Sequence, residues 1–173
     1  MRHVISVLLQ NEVGALTRMT GLFSSRGYNI DSLNVAPTDD SAVSRVTVVV
    51  SGSDAAVAQI NTQLAKLVDV LNIHDMTLGD HFERELLIVK LKVDKDQLGQ
   101  IRAIAEDYGA DILDDSLISC TVQLTAKLRE IDAFVDAVSN VGDLQAIARS
   151  GSVAVSKGQV TLSTYAEHHR LTG

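Results

Sequence analysis

Residues 11–40, NEVGALTRMTGLFSSRGYNIDSLNVAPTDD, pack a strand exit, a glycine turn, a helix and a second strand into one short stretch. The preceding run from His3 to Gln10, HVISVLLQ, is β-branched and apolar, the pattern of a buried strand. Gly14 lets the backbone turn sharply into a helix that begins near Ala15. Val13 or Gly14 stands where Ser, Thr, Asp or Asn would normally satisfy the first orphan amides. The amides of Ala15, Leu16 and Thr17 are therefore expected to be open to an anion, and a carboxylate would suit them.

Outward from that stretch, periodicity gives strand (His3 to Gln10), helix (Ala15 to Arg26), strand (Ile30 to Pro37), strand (Val43 to Ser51), helix (Ala55 to Leu67) and strand (Val68 to Met76). Leu16, Met19 and Phe23 form one apolar helical stripe, and Val57, Ile60, Leu64 and Leu67 another, so both helices cover the same sheet face. Ser53 and Asp54 offer ordinary caps to the second helix, in contrast to the first. The polar TLGDHFER, Thr77 to Arg84, has the composition of a linker.

The plan then restarts. Glu85 to Val93 is a strand, and Gln97 to Tyr108 a helix stopped by Gly109, with Leu98, Ile101, Ala105 and Tyr108 on one face. Ala110 to Asp114 and Ser119 to Thr125 are strands. Leu128 to Ser139 is a helix striped by Leu128, Ile131, Val135 and Val138, and Leu144 to Arg149 is a strand. Val153 to Ser156 reads equally as core or edge strand. The fold class is α+β: two ferredoxin-like βαββαβ domains, at 1–78 and 85–158, with a linker at 79–84 and a tail at 159–173.

Composition removes several function classes. A net charge of −7 argues against binding nucleic acid or an anionic membrane, and 3% aromatics without Trp leaves no stacking platform for single strands. The single cysteine, Cys120, sits in a strand context and reads as a buried, inert thiol. Secretory and transit patterns are absent from the start of the sequence, and no apolar run approaches the roughly 20 residues of a membrane span. A cytoplasmic location is the expectation.

Small domains of this kind leave sheet faces and edges uncovered. Val46, Val48, Val49 and Val50 supply more apolar surface than one helical layer needs, so a homodimer formed through sheet contacts is expected. Asp39 with Asp40, and Asp114 with Asp115, read as solvated turns rather than acid–base pairs or cation sites. His168 and His169 lack a third ligand at zinc-site spacing, and His3, His74 and His81 form no Ser/His/Asp grouping.

The stretch NEVGALTRMTGLFSSRGYNIDSLNVAPTDD, with SRVTVVV from Ser44 and ARSGSVAVSKG from Ala148, closely resembles the small regulatory subunits of acetolactate synthase, and the first domain resembles an ACT domain. The resemblance spans about residues 2–158. It implies a non-catalytic chain that binds the acetolactate synthase catalytic (large) subunit, raises its activity and confers feedback inhibition by a branched-chain amino acid, usually valine. It implies no cofactor in this chain; thiamine diphosphate, Mg and FAD are expected in the catalytic partner.

The residues suit such an effector. Amides of Gly14, Ala15 and Leu16 would hold its carboxylate, and the side-chain amide of Asn11 can both accept from an ammonium and donate to a carboxylate. A carboxylate at a helix start contributes about 0.3–1 kcal/mol when exposed and up to about 2 when partly buried. By the resemblance, Asn29 and Ile30 complete the site from the partner subunit, with Ile30 as an apolar wall. Read alone, Asn11 is equally a turn cap and Asn29 equally a turn residue. Thr17 stands where the family pattern has Ser, and its extra methyl narrows the pocket. Valine exceeds alanine by two carbon groups at roughly 0.8 kcal/mol each, which gives about tenfold selectivity by burial. Another amino-acid-sensing ACT regulator is the alternative. An RNA-binding βαββαβ module is a weaker one, because SRVTVVV lacks the aromatic RNP1 pattern.

Overall fold

The computed structural model describes residues 1–163, so His168, His169 and the end of the tail lie outside the described residues. The chain divides into two compact units. The first comprises Met1–Phe82 together with the segment that starts at Val153, and the second comprises Glu83–Ser152.

In the first unit β1 (Arg2–Gln10), α1 (Ala15–Ser25), β2 (Ile30–Pro37), β3 (Val43–Ser51), α2 (Asp54–Leu64) and β4 (Val70–Asp75) follow in chain order. The sheet order is β2-β3-β1-β4, with every neighbouring pair antiparallel. Alternation along the central strands divides their side chains between two faces. Ile5, Val7 and Leu9 of β1 and Val46, Val48 and Val50 of β3 meet Met19 and Phe23 of α1 and Val57, Ile60 and Leu64 of α2. The Ser53 hydroxyl accepts from the Ala56 amide and caps α2.

The second unit repeats the plan with β5 (His81–Lys92, which begins in the first unit), α3 (Lys95–Tyr108), β6 (Asp111–Asp115), β7 (Ser119–Ala126), α4 (Leu128–Ser139) and β8 (Asp143–Arg149), in sheet order β6-β7-β5-β8. Leu87, Val89 and Leu91, with Cys120, Val122 and Leu124, are buried against α3 and α4. Asp94 and Gln97 form a capping box on α3, and Gly109 ends it in the left-handed region at φ 65°. Glu85 is buried but paired: Arg149 donates to it through Nε at 2.9 Å and Nη2 at 3.0 Å, and reaches Asp132 through Nη1. The α+β, twice-ferredoxin-like expectation is met.

Three details differ from the sequence reading. The stretch read as a linker is largely strand, because β5 starts at His81. On α1 the buried stripe is Ala15, Met19 and Phe23, whereas Leu16 is half-exposed; on α4 it is Ile131, Phe134 and Val138. The third concerns the apolar surplus assigned to a dimer. Val46, Val48 and Val50 face the helices, whereas Val49 lies on the opposite face with Val4, Met76 and Ala154. Ala154 belongs to β9 (Val153–Ser156), which pairs with β5 and groups with the first compact unit. The chain covers this surface itself.

The described tail continues across the same sheet: Arg45 Nη2 donates to the Leu162 carbonyl at 3.3 Å, and Asn72 Nδ2 to that of Ser163 at 3.0 Å. Replacing Ala154 with Asp would bury an unpaired carboxylate against Val4, Val49 and Met76. The expected loss is about 3 kcal/mol in urea unfolding, at the upper end for single substitutions. Wild-type stability in that variant would show that β9 does not cover the face.

Candidate functional site

The turn between β1 and α1 is built around Gly14, which holds the helix N-cap position at φ 86°, ψ −13° and offers no side-chain cap. L-residues avoid this left-handed conformation. A Cβ there would also come within 2.8 Å of Arg18 Nη1. The Ala15 amide, expected to be open, instead donates to the Glu12 carbonyl at 3.2 Å, because the turn closes one residue before the helix proper. The amides of Leu16 and Thr17 have no hydrogen-bond partner among the described residues. The open donors are thus shifted along the helix start by one residue.

Three segments anchor the turn. The Asn11 amide donates to the Ala42 carbonyl at 2.8 Å and its Nδ2 to the Ser41 carbonyl at 2.9 Å, joining it to the β2–β3 turn. This commits part of the Asn11 side chain to structure and leaves Oδ1 as its acceptor. Arg18 forks onto Asp69, Nε to Oδ2 at 2.6 Å and Nη2 to Oδ1 at 2.7 Å, while the Asp69 carbonyl accepts from the Gln10 amide at 2.8 Å. The Arg18 hydrogen bonds hold the Asp69 carboxyl below the ordinary carboxylate range, and Asp69 in turn raises the Arg18 guanidinium.

Asn29 and Ile30 sit elsewhere. Ile30 is level with Val50, and Val50 with His3, whereas Gln10 at the other end of β1 is level with Val43. At roughly 3.4 Å per residue, the His3-to-Gln10 separation places them about 24 Å along the sheet from the Gly14 turn. The structure therefore brings Asn11, Gly14, Ala15 and Leu16 together and leaves Asn29 and Ile30 at the opposite end. Asn29 is exposed, and its Nδ2 donates to Asp31 Oδ1 at 3.1 Å. All of β2 pairs on one side only, as an edge strand closed by Pro37, which has no N–H to give.

The remaining candidates take structural positions. Asp40 Oδ1 accepts the Ala42 amide at 2.9 Å and shapes its own turn. Asp115 pairs with Arg102, and the buried Cys120 thiol is pushed up chiefly by desolvation. His3 is buried, 3.4 Å from Asp54 and 3.8 Å from Asp75, with no serine between them. Sequence reasoning missed the Arg18–Asp69 clamp. The i, i+4 spacing of Gly14 and Arg18 carried a faint signal for one half of it, and nothing in the pattern pointed to Asp69.

Comparison with known proteins gives a consistent picture. A family model described as "AHAS small subunit-like ACT domain" matches residues 5–72, and one described as "Small subunit of acetolactate synthase" matches residues 84–158. The chain is 43% identical over 158 residues to the acetolactate synthase isozyme 3 small subunit of Escherichia coli, covering 91% of this chain and 97% of that relative. It is 35% identical to the probable acetolactate synthase small subunit of Archaeoglobus fulgidus, covering 91% and 98%. Among solved structures, the acetolactate synthase small subunit of Thermotoga maritima superposes with a TM-score of 0.83 at 28% identity, covering 92% of this chain and 99% of that one.

Two substitutions test the turn. Gly14→Ala should destabilise the protein by about 1–2 kcal/mol through the left-handed φ and displacement of Arg18, measured by urea unfolding. Asp69→Asn should lower the melting midpoint near pH 7. Because the Asp69 pKa is depressed on folding, its contribution is present above the unfolded value of about 3.9 and lost as pH falls through the lower folded value. The gap between wild type and Asp69→Asn should therefore narrow below pH 4; a constant gap would contradict the pairing.

Proposed function

The chain belongs to the acetolactate synthase small-subunit family, with an ACT domain at its start, and we propose that it is the regulatory subunit that activates the thiamine-diphosphate-dependent catalytic subunit and carries feedback inhibition by valine. Catalysis, and the thiamine diphosphate, Mg and FAD it uses, belong to that large subunit in this reading, which operates in the cytoplasm. Family membership supports the partner. The residues of the β1–α1 turn support the effector.

One observation carries the reading: the two groups of candidate residues lie at opposite ends of a sheet whose edge, β2, is unpaired. If two copies join through β2 in antiparallel fashion about a two-fold axis, Ile30 of one copy comes level with Pro37 of the other. The partner subunit's Asn29 then falls beside the β2–β3 turn, whose Ser41 carbonyl is bonded to Asn11. Two equivalent sites form, each from one copy's turn and the other copy's strand start.

At such a site the Leu16 and Thr17 amides, with that of Gly14, hold the valine carboxylate at the positive helix end. Asn11 Oδ1 accepts from the ammonium, and Ile30 supplies the wall for the side chain. Effector binding at a subunit interface alters how the two copies sit together and hence the surface offered to the catalytic subunit. A coupling of about 1–3 kcal/mol is typical, and linkage requires the catalytic subunit to change valine affinity by the same factor.

Subunit mixing tests this directly. Calorimetry should show valine binding to the wild type and none to Gly14→Asp, whose carboxylate repels the effector, or to Asn29→Ala. A mixture of the two variants should regain binding at up to one site per heterodimer, because that dimer assembles one site from an intact turn and an intact strand start. Absence of recovery would mean that one copy's turn and the other's strand start do not share a site, and unchanged affinity in Gly14→Asp would remove the turn from it. Leucine and isoleucine titrated alongside measure side-chain preference.

A further inference from the structure

On the sheet face opposite α1 and α2, the apolar patch of Val4, Val49 and Met76 gives way to polar residues. Ser6 of β1 is paired in register with Thr47 of β3 on one side and His74 of β4 on the other, and Arg45 is the next residue of β3 on that face. The described tail passes over them and forms a partly open cavity of about 100 Å³ lined by Ser6, Arg45 and His74 from the sheet and by Ser156, Gly158 and Thr161, among others, from the segment above. Among the described residues no carboxylate lines it.

Two groups at this cavity, the buried Ser6 and the half-buried Arg45, have few or no partners. Ser6 is 1% exposed, and its Oγ has no hydrogen-bond partner. A buried hydroxyl left unpaired costs about 1–3 kcal/mol. Arg45 makes a single hydrogen bond among the described residues, from Nη2 to the Leu162 carbonyl at 3.3 Å, so most of its donor fork and its charge have no partner among them. A guanidinium fork, a hydroxyl and an imidazole converging on one cavity are donors for oxygen atoms that carry negative charge.

We propose that this cavity is a binding site for a small oxyanion of the inorganic phosphate type, held by Arg45 and Ser6 with His74 beside them. A cavity of about 100 Å³ is large enough for such an ion. The site has no residue in common with the β1–α1 turn, so it stands whether or not that turn binds an amino acid. Occupancy bridges the sheet and the tail segment, and the ion thereby stabilises the docked segment over β1, β3 and β4.

The full-length protein is titrated with potassium phosphate against potassium chloride at matched ionic strength, with the melting midpoint and the ³¹P linewidth as readouts. Wild type should show a saturable, phosphate-specific rise in midpoint and line broadening. Arg45→Gln should weaken the apparent affinity at least tenfold, and Ser6→Ala, which keeps the strand and the cavity, about threefold to tenfold. Ser6→Ala decides the matter alone if Arg45→Gln does not fold. Equal responses to phosphate and chloride, or an unchanged phosphate response in Ser6→Ala and in folded Arg45→Gln, would overturn the proposal and leave a cavity filled by water.

Discussion

β1 and β2 run in the same direction but are never neighbours, because β3 lies between them. The helix α1 must therefore carry the chain the full length of the sheet, and whatever leaves β1 at one end re-enters β2 at the other. No side-chain rearrangement within one subunit can bring Asn29 to Gly14. The ladder of antiparallel hydrogen bonds that fixes the fold also fixes this separation, so a site that used both groups would need two subunits. An edge strand with free backbone groups at the right place is what makes such a site attainable.

The electrostatics of the turn are more restrained than a bare helix end would suggest. Arg18 lies against Gly14, yet its charge is matched by Asp69, which is nearly inaccessible to solvent. The net field at the turn is then that of the open amides rather than of a free guanidinium. The site proposed there would hold one carboxylate by directed hydrogen bonds and gain little from a second negative charge, which suits a zwitterion better than a dianion. The same clamp joins the turn to the α2–β4 connection, whose Asp69 carbonyl also accepts from Gln10 at the end of β1, so displacement of the turn is felt at the start of the edge strand β4.

Local chemistry was legible in the sequence wherever one residue dictates one conformation. Gly109 as a helix stop, Ser53 as a cap, Leu128 to Ser139 as a helix and the uncapped start at Gly14 all appear as read. What failed were inferences about what covers a surface. Alternation in VTVVV reveals that both faces of β3 are buried but carries no label for the covering element, so Val49 was assigned to a second subunit when Ala154 of the same chain meets it. Leu16 and Ala15 exchanged places for a related reason: the helical period fixes the width of a stripe and not its phase, and at a helix start the turn geometry sets the phase. The family resemblance supplied Asn29 and Ile30, which residue patterns alone left as turn and strand start.

The return of β9 to the first unit also has a temporal side. On the ribosome, Met76 is made long before Val153, and at ~5–20 residues per second the intervening chain takes about 4–15 s to appear. During that interval the second unit, which is contiguous in sequence, can finish folding, whereas the first has one sheet face bare. Val4, Val49 and Met76 are then available to chaperones or to other nascent chains. Completion of β9 thus limits how soon the first unit becomes safe from aggregation.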